Sequence, residues 1–439
     1  MELQKPYYPA CVIAILIVLL FGLSNVCQLY LLKDTYPVSK LPVGSDYLCI
    51  YSATQNLLHG ISPYESKWYC SPSSPDYLKN LFIYFNMDKA APWYCYPPIL
   101  AYLNYPSVYL EIDTALRLMF FLLIGAVLSA YALINSSFQN LKGKEREIIL
   151  LYGLIIILLS YPFYFLIVRG HMIGIVILLL AMGIYLVQKN NPASGVCFGL
   201  SIGMLLFPAL ILVPLFLFRR YKIMIYTFLT LFLLILFCPG LWWLFLKNIL
   251  VLNIATRDWL SENGSLANTF FYFNIFFGKT MGLAGFQFRL THYNEAALAV
   301  YALMFFAMTL ADYKVRKKYG TLDMNIEIVL MLMYLPFMIA VPKVVFQYDL
   351  VMLILLIPAL CSLTQVLKKP MPQPIFWLFS GGIALSQIQA HSLQNLLNPR
   401  YDLFHFFPAF GLFLVMIGCV AFKLWFWRVY PLRMQETCS

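Results

Sequence analysis

The chain has 439 residues, of which 62% are apolar and only 11% charged, against roughly 45–50% and about 25% in soluble domains. A soluble fold has too little polar surface to cover that excess, which excludes a cytosolic enzyme, a disulfide-stapled secreted scaffold and a disordered chain. The 30 Lys and Arg against 19 Asp and Glu leave a net charge of +11. The basic residues sit in short clusters between apolar runs, as in the cytoplasmic loops of membrane proteins, and no nucleic-acid partner is expected.

Apolar runs of about 20 residues, enough to cross roughly 30 Å of hydrocarbon, predict spans at 10–32, 107–134, 148–167, 172–187, 223–245, 296–311, 325–341, 348–366, 375–391 and 404–424. They are unbroken rather than alternating, which excludes a transmembrane barrel. The first is longer than a signal-peptide core and no small-residue cleavage site follows it, so it reads as retained.

The basic clusters are Lys142/Lys144/Arg146, Lys189, Arg219/Arg220/Lys222, Lys314/Arg316/Lys317/Lys318, Lys368/Lys369 and Lys423/Arg428/Arg433. Placing all of them in the cytoplasm gives one consistent multi-pass topology in a cell (inner) membrane, with both termini inside. Long outer loops then cover 33–106 and 246–295. The 194–218 stretch must leave the cytoplasm and return within about 25 residues. Two half-helices of about 11 residues reach only about 16 Å each, so a broken, re-entrant hairpin turning near Phe207-Pro208 is predicted. The other reading is one full span with Arg219 and Arg220 outside. The expected fold is a single all-α polytopic domain over 1–439, with about ten transmembrane helices, the hairpin and amphipathic helices at the outer surface.

The ten Cys form no metal-ligand pattern, and no metal or cofactor is expected. Cys70 and Cys95 fall in the first outer loop and are candidates for a disulfide. There is no GxxxxGK[ST] or HExxH motif, which leaves nucleotide hydrolysis and zinc proteolysis without support. Outer turns carry Arg169-Gly170-His171 and the segment from Lys343 to Asp349, while the spans hold few ionisable residues. A lipid or solute transporter or flippase spreads polar groups through its spans, so chemistry at the outer interface is favoured.

Within the first outer loop, Ser45 to Gly60 places apolar side chains at 47, 50, 51, 53, 57 and 58, a helical spacing. Ser45 reads as the N-cap and Gly60 as the stop of a short amphipathic helix on the outer membrane surface. Asp46, in its first turn, is either a carboxylate favoured by the helix dipole or a reactive group.

The wider pattern resembles a known family. Asp46-Tyr47-x-x-x-Tyr51-x-Ala53, then Leu57-Leu58-x-Gly60-x-Ser62-Pro63-Tyr64, then Tyr94-x-Tyr96-Pro97-Pro98-Ile99-Leu100 is similar to the first loop of glycosyltransferase family 87, within the C-type superfamily. Arg169-Gly170-His171 looks like that family's Gly-Gln-x-Asn turn, Gly195 to Pro208 like its Gly-rich hairpin, and Asn263-Gly264-Ser265-Leu266 like its N-Q-S-L segment. His171 stands where the family has Gln, Leu205 and Leu206 near its Lys, and Gln347-Tyr348 near its His pair.

The resemblance implies an inverting transfer of a sugar, mannose or a relative, from a polyprenyl-phosphate donor to a hydroxyl of a lipid or glycan acceptor, at the outer face among membrane lipids. Asp46 is then the base. The outer-side cations Lys343, Arg169, His171, Arg257 and Arg289 are candidates to meet the lipid phosphate, and Tyr51, Tyr64, Tyr96, Asn263, Ser265, Gln347 and Tyr348 to line the substrate. Lys343 also reads as an interfacial lysine, and the aromatics as a membrane belt. A lipid-linked polysaccharide polymerase or ligase is a further alternative, but those enzymes usually carry their large polar loop late in the chain.

Overall fold

The computed structural model describes residues 7–31, 44–64, 94, 96–255, 293–340, 347–367, 371–387 and 406–436. Among them the chain is helical, without strands: α1 (Tyr8–Leu31), α2 (Ser45–Leu58), α3 (Pro98–Leu103), α4 (Ile112–Ser137), α5 (Gly143–Leu159), α6 (Tyr161–Arg169), α7 (Ile173–Gln188), α8 (Ser194–Met204), α9 (Leu212–Leu217), α10 (Tyr221–Phe237), α11 (Pro239–Ala255), α12 (Tyr293–Tyr319), α13 (Met324–Leu332), α14 (Leu335–Ala340), α15 (Leu356–Val366), α16 (Gln373–Ser386) and α17 (Phe406–Glu436). Turns of 3₁₀ helix cover Tyr105–Tyr109, Phe207–Ile211 and Gln347–Leu355.

Large apolar side chains point outward from the long helices. Phe121 on α4, Leu158 on α5, Phe232 on α10 and Phe306 on α12 are each more than half exposed. Such an outer surface suits lipid, whose tails are as apolar as Leu. Among the described residues, four helices are long and apolar enough to cross a membrane: Ile112–Ser137, Glu295–Tyr319, Asp349–Val366 and Pro408–Arg428. Two bent pairs raise the number to six. The expectation of about ten spans is therefore met in part, because several of the predicted runs are broken or short helices.

Both breaks have local causes. The 148–167 run is α5 and α6, bent by 59°. Pro162 has no N–H to continue the ladder, and the Ser160 hydroxyl oxygen accepts the Phe163 N–H to cap α6. Gln387 fastens this bend: its Oε1 accepts from the Ser160 hydroxyl at 2.7 Å and its Nε2 donates to Leu350 O at 2.9 Å. The Gln387 carbonyl accepts from Tyr161 N at 3.0 Å. The 223–245 run is α10 and α11, bent by 98° at Pro239. There the Trp242 indole N–H takes up the Leu234 carbonyl at 3.0 Å.

The 194–218 stretch is broken as the sequence predicts. α8 ends at Leu205, whose backbone is extended, and Phe207–Ile211 begins a new turn. The direction of the chain follows from three glycines. A Cβ on Gly195 would meet Ile223 and Tyr226, one on Gly199 would meet Thr230, and one on Gly203 would meet Leu234. Contacts advance together along both helices, so α8 and α10 run in the same direction. Residues 205–220 must therefore carry the chain back to the level where α8 began. Arg220 lies at that level, donating to Asn190 Oδ1 at 2.8 Å, just before α8.

A layer of polar latches ties the bundle at that end. Arg220 forks onto both Glu327 oxygens at 2.6 and 2.9 Å. Gln139 N donates to Asn325 Oδ1, the Asn140 amide donates to Ser362 O, and Gln365 donates to Glu145. Lys423, counted above as a loop cation, is instead buried inside the bundle: it pairs with Asp312, which also accepts from the Tyr334 hydroxyl. α7 separates this layer from the turn at 170–172 by 16 residues, about 24 Å of helix.

Candidate active site

At the other end of α7, two left-handed glycines join α2 to the α6–α7 turn. Gly44, at φ 80°, is the residue before α2, and its N–H donates to Val168 O at 2.6 Å. The sequence assigned that cap to Ser45. The backbone bond to Val168 places the helix start one residue earlier, and no side chain caps it. Gly170, at φ 67°, ends α6 in the left-handed conformation that glycine adopts without cost. A Cβ there would lie 2.9 Å from Tyr47 Cβ and 3.6 Å from Gly44 Cα. Glycine thus lets the two backbones touch.

That contact sets Asp46 against Arg169. The guanidinium holds the carboxylate by two hydrogen bonds, Nε to Oδ2 at 3.1 Å and Nη2 to Oδ1 at 2.7 Å. The two side chains are 17% and 9% exposed, sheltered but reachable. The Arg169 Cζ lies 5.9 Å from the centre of the Phe165 ring, one turn back on α6.

His171 completes the cluster. It is buried, and burial pushes its pKa down to about 4, with Asp46 pulling it up and Arg169 pushing it down. Its Nδ1 accepts the Ile173 N–H at 3.2 Å, so the neutral ring carries its proton on Nε2. The Tyr96 ring packs on it at 5.6 Å between centroids. Behind it, the Tyr64 hydroxyl donates to Tyr96 O at 2.6 Å, and the Tyr94 hydroxyl donates to Pro97 O at 2.9 Å. The Asn248 amide of α11 reaches Tyr64 O at 3.4 Å.

Asp46, Arg169, His171, Tyr96 and Tyr64 are therefore brought together. Tyr51 is turned aside: its hydroxyl reaches Leu110 O at 3.3 Å. Gln347 and Tyr348 begin a 3₁₀ turn that packs on α6. Lys343, Arg257, Arg289, Asn263, Ser265 and the Cys70/Cys95 pair lie outside the described residues. α2 is also less of a surface helix than its pattern suggests. Ser52, Thr54 and Asn56 on its polar side are buried, with the Thr54 hydroxyl on Ile50 O and Ala101 O at 2.8 and 2.9 Å. The sequence reading missed Gly44 and Gln387. A Gly directly before Ser-Asp was the available signal for the first; nothing local marks the second.

The profile of glycosyltransferase family 87 matches residues 94–338, more than half of the chain. The chain belongs to glycosyltransferase family 87. The family makes it a membrane glycosyltransferase, in keeping with the apolar helices described above. Arg169, His171 and Tyr96 fall inside the matched stretch, and Asp46 precedes it. Comparison with curated proteins and with solved structures found no match.

Proposed function

We propose that this glycosyltransferase moves a sugar of the mannose type from a polyprenyl phosphate to a hydroxyl of a lipid or glycan acceptor, at the outer face of the membrane. The observation that carries the reading is the sheltered Asp46 carboxylate, placed by two glycines against Arg169 and beside a neutral His171. Transfer needs a base for the acceptor and cationic or hydrogen-bond donors for the leaving phosphate. Both kinds of group stand within one cluster.

The acceptor oxygen attacks the anomeric carbon from the face opposite the phosphate. Its proton passes to an Asp46 oxygen as the new C–O bond forms. The bond from the anomeric carbon to the phosphate oxygen breaks, the phosphate leaves with the electron pair, and the configuration inverts. An ordinary carboxylate is too weak to ionise a resting hydroxyl, but it takes the proton as the attacking oxygen becomes acidic. The neutral His171 is fitted to donate a hydrogen bond from Nε2. Lys343, Arg257 and Arg289 are proposed as further phosphate partners, and Tyr64, Tyr96, Asn263, Ser265, Gln347 and Tyr348 as substrate neighbours. Tyr51 stays a more distant candidate.

The basic residues crowd the Arg220 end of α7, which favours a cytoplasmic position for that end and for both termini. The Asp46 end is then outside. The common direction of α8 and α10 supports a re-entrant hairpin at 194–218, and the first and second outer loops keep the bounds 33–106 and 246–295 within one domain. The test is sugar transfer from polyprenyl phosphate by purified Asp46→Asn protein. Asn keeps the size and shape of Asp, and α2 is held at Gly44 by backbone rather than by a side-chain cap, so the variant should stay folded while its rate falls by roughly 10²–10⁴. Near-native transfer removes Asp46 as the base.

A further inference from the structure

Asp46 and Arg169 are each given a role toward substrate in the preceding reading, on which the following rests, yet they occupy each other. The fork of Arg169 covers both carboxylate oxygens, at 2.7 and 3.1 Å. Paired hydrogen bonds from a planar guanidinium are the strongest geometry open to a carboxylate, and a phosphate is the other anion that this fork fits. A carboxylate so held has both oxygens engaged by the guanidinium, in the place where an acceptor hydroxyl would have to bond. Two anions of one sign cannot both take the full fork.

We propose that the Asp46–Arg169 pair is an exchangeable latch: the lipid phosphate takes Arg169 from Asp46, and that exchange arms Asp46 to accept the proton of the sugar acceptor. The base then works only when a donor is seated, and an empty site does not deliver an activated hydroxyl. The surroundings suit a movement of side chains on a fixed frame. The backbones are pinned by Gly44 N to Val168 O and by the contact of Gly170 with Tyr47. Arg169 is the last residue of α6, where its side chain swings without disturbing the helix, and the Phe165 face lies within reach of its guanidinium. Charge is conserved in the exchange, since one anion replaces another beside the cation. The freed carboxylate stays next to His171, whose ring is neutral and brings no second cation to hold it.

The latch makes a prediction that runs against the usual effect of damaging a site. If Asp46 competes with phosphate, removing its charge strengthens phosphate binding. The probe is undecaprenyl phosphate without a sugar, titrated into the full-length protein in nanodiscs and read by native mass spectrometry. Asp46→Asn should bind it about 5- to 50-fold more tightly than the native chain, and Arg169→Gln at least 10-fold more weakly. The double variant should match Arg169→Gln. A gain that survives in the double variant reflects lost repulsion alone and overturns the latch, as does an Asp46→Asn affinity equal to or below the native one. Asp46→Ser replaces Asp46→Asn if the latter does not fold. The transfer assay is scored separately. Lost transfer with unchanged phosphate affinity in Asp46→Asn leaves the transferase reading standing and removes the latch. Retained transfer removes the catalytic assignment whatever the titration gives.

Discussion

The buried His171 predicts an acid sensitivity that a single substitution should remove. Its ring is held neutral, with the pKa lowered to about 4 from an ordinary 6.5 by burial; Asp46 opposes that shift and Arg169 adds to it. Between those values the unfolded chain binds a proton that the folded chain refuses. Stability is therefore complete above about pH 6.5, falls as pH drops below it, and stops falling below about pH 4. At roughly 1.4 kcal/mol per unit the whole loss is about 3 kcal/mol, and the part between pH 7 and pH 5 is about 2 kcal/mol. His171→Gln keeps an acceptor for the Ile173 N–H and has no proton to gain. The assay is unfolding of the purified native and His171→Gln proteins in detergent at pH 7, 6 and 5. The native protein should lose about 2 kcal/mol more than the variant over that range, a shift of a few degrees in its midpoint. Parallel pH slopes for the two proteins would refute the claim that His171 is buried neutral.

Two other outcomes follow from the bundle. Asp312 and Lys423 are each about 1% exposed and paired only inside the protein, so Asp312→Asn or Lys423→Met alone should cost roughly 3–5 kcal/mol, and the apolar double variant Asp312→Leu/Lys423→Met should recover most of it. Chemical unfolding in detergent measures the cycle, and single losses under about 1 kcal/mol would show that the pair is water-solvated. For orientation, cysteines placed at 221 and 265 in a variant without native cysteines should be labelled from the inside and the outside respectively; labelling of 221 from outside would reverse the proposed topology.

Much of the architecture was legible because it is written in local composition. Long apolar runs define a membrane protein without reference to distant residues. The break near Phe207-Pro208 and the return of the chain follow from a 25-residue stretch between two basic clusters, and the parallel course of α8 and α10 agrees with it. Composition was a poorer guide to span number, since a run interrupted by Pro162 or Pro239 counts as apolar throughout and still bends by 59° or 98°. Asp46 and Arg169 were both singled out, but not as partners, because 123 residues separate them and no periodicity encodes that contact. The same holds for Lys423 and Asp312, 111 residues apart. A lysine at the end of an apolar run reads as a loop cation until its carboxylate is seen. Gln387 has no pattern of its own; its amide matters only because Ser160, Tyr161 and Leu350 converge on it.

The two ends of α7 use charge in different ways, and the difference bears on the donor. At the Arg220 end the ionic and amide groups have fixed protein partners, and they lock α5, α10, α13 and α15 together. At the Asp46 end, the ion pair joins two helices already held by their backbones at Gly44 and Gly170. Exchange of that pair for a phosphate, as proposed above, would leave these backbone contacts in place. With the Arg220 end cytoplasmic, as proposed from its excess of basic residues, the Asp46–Arg169 pair faces the opposite compartment. Sugar nucleotides are made in the cytoplasm and carry too much charge to cross the bilayer unaided. A transferase working on the far side needs its sugar delivered on a lipid, with a phosphate at the interface as the anchor and leaving group. An arginine that gives up its carboxylate partner for that phosphate is the device such a donor calls for.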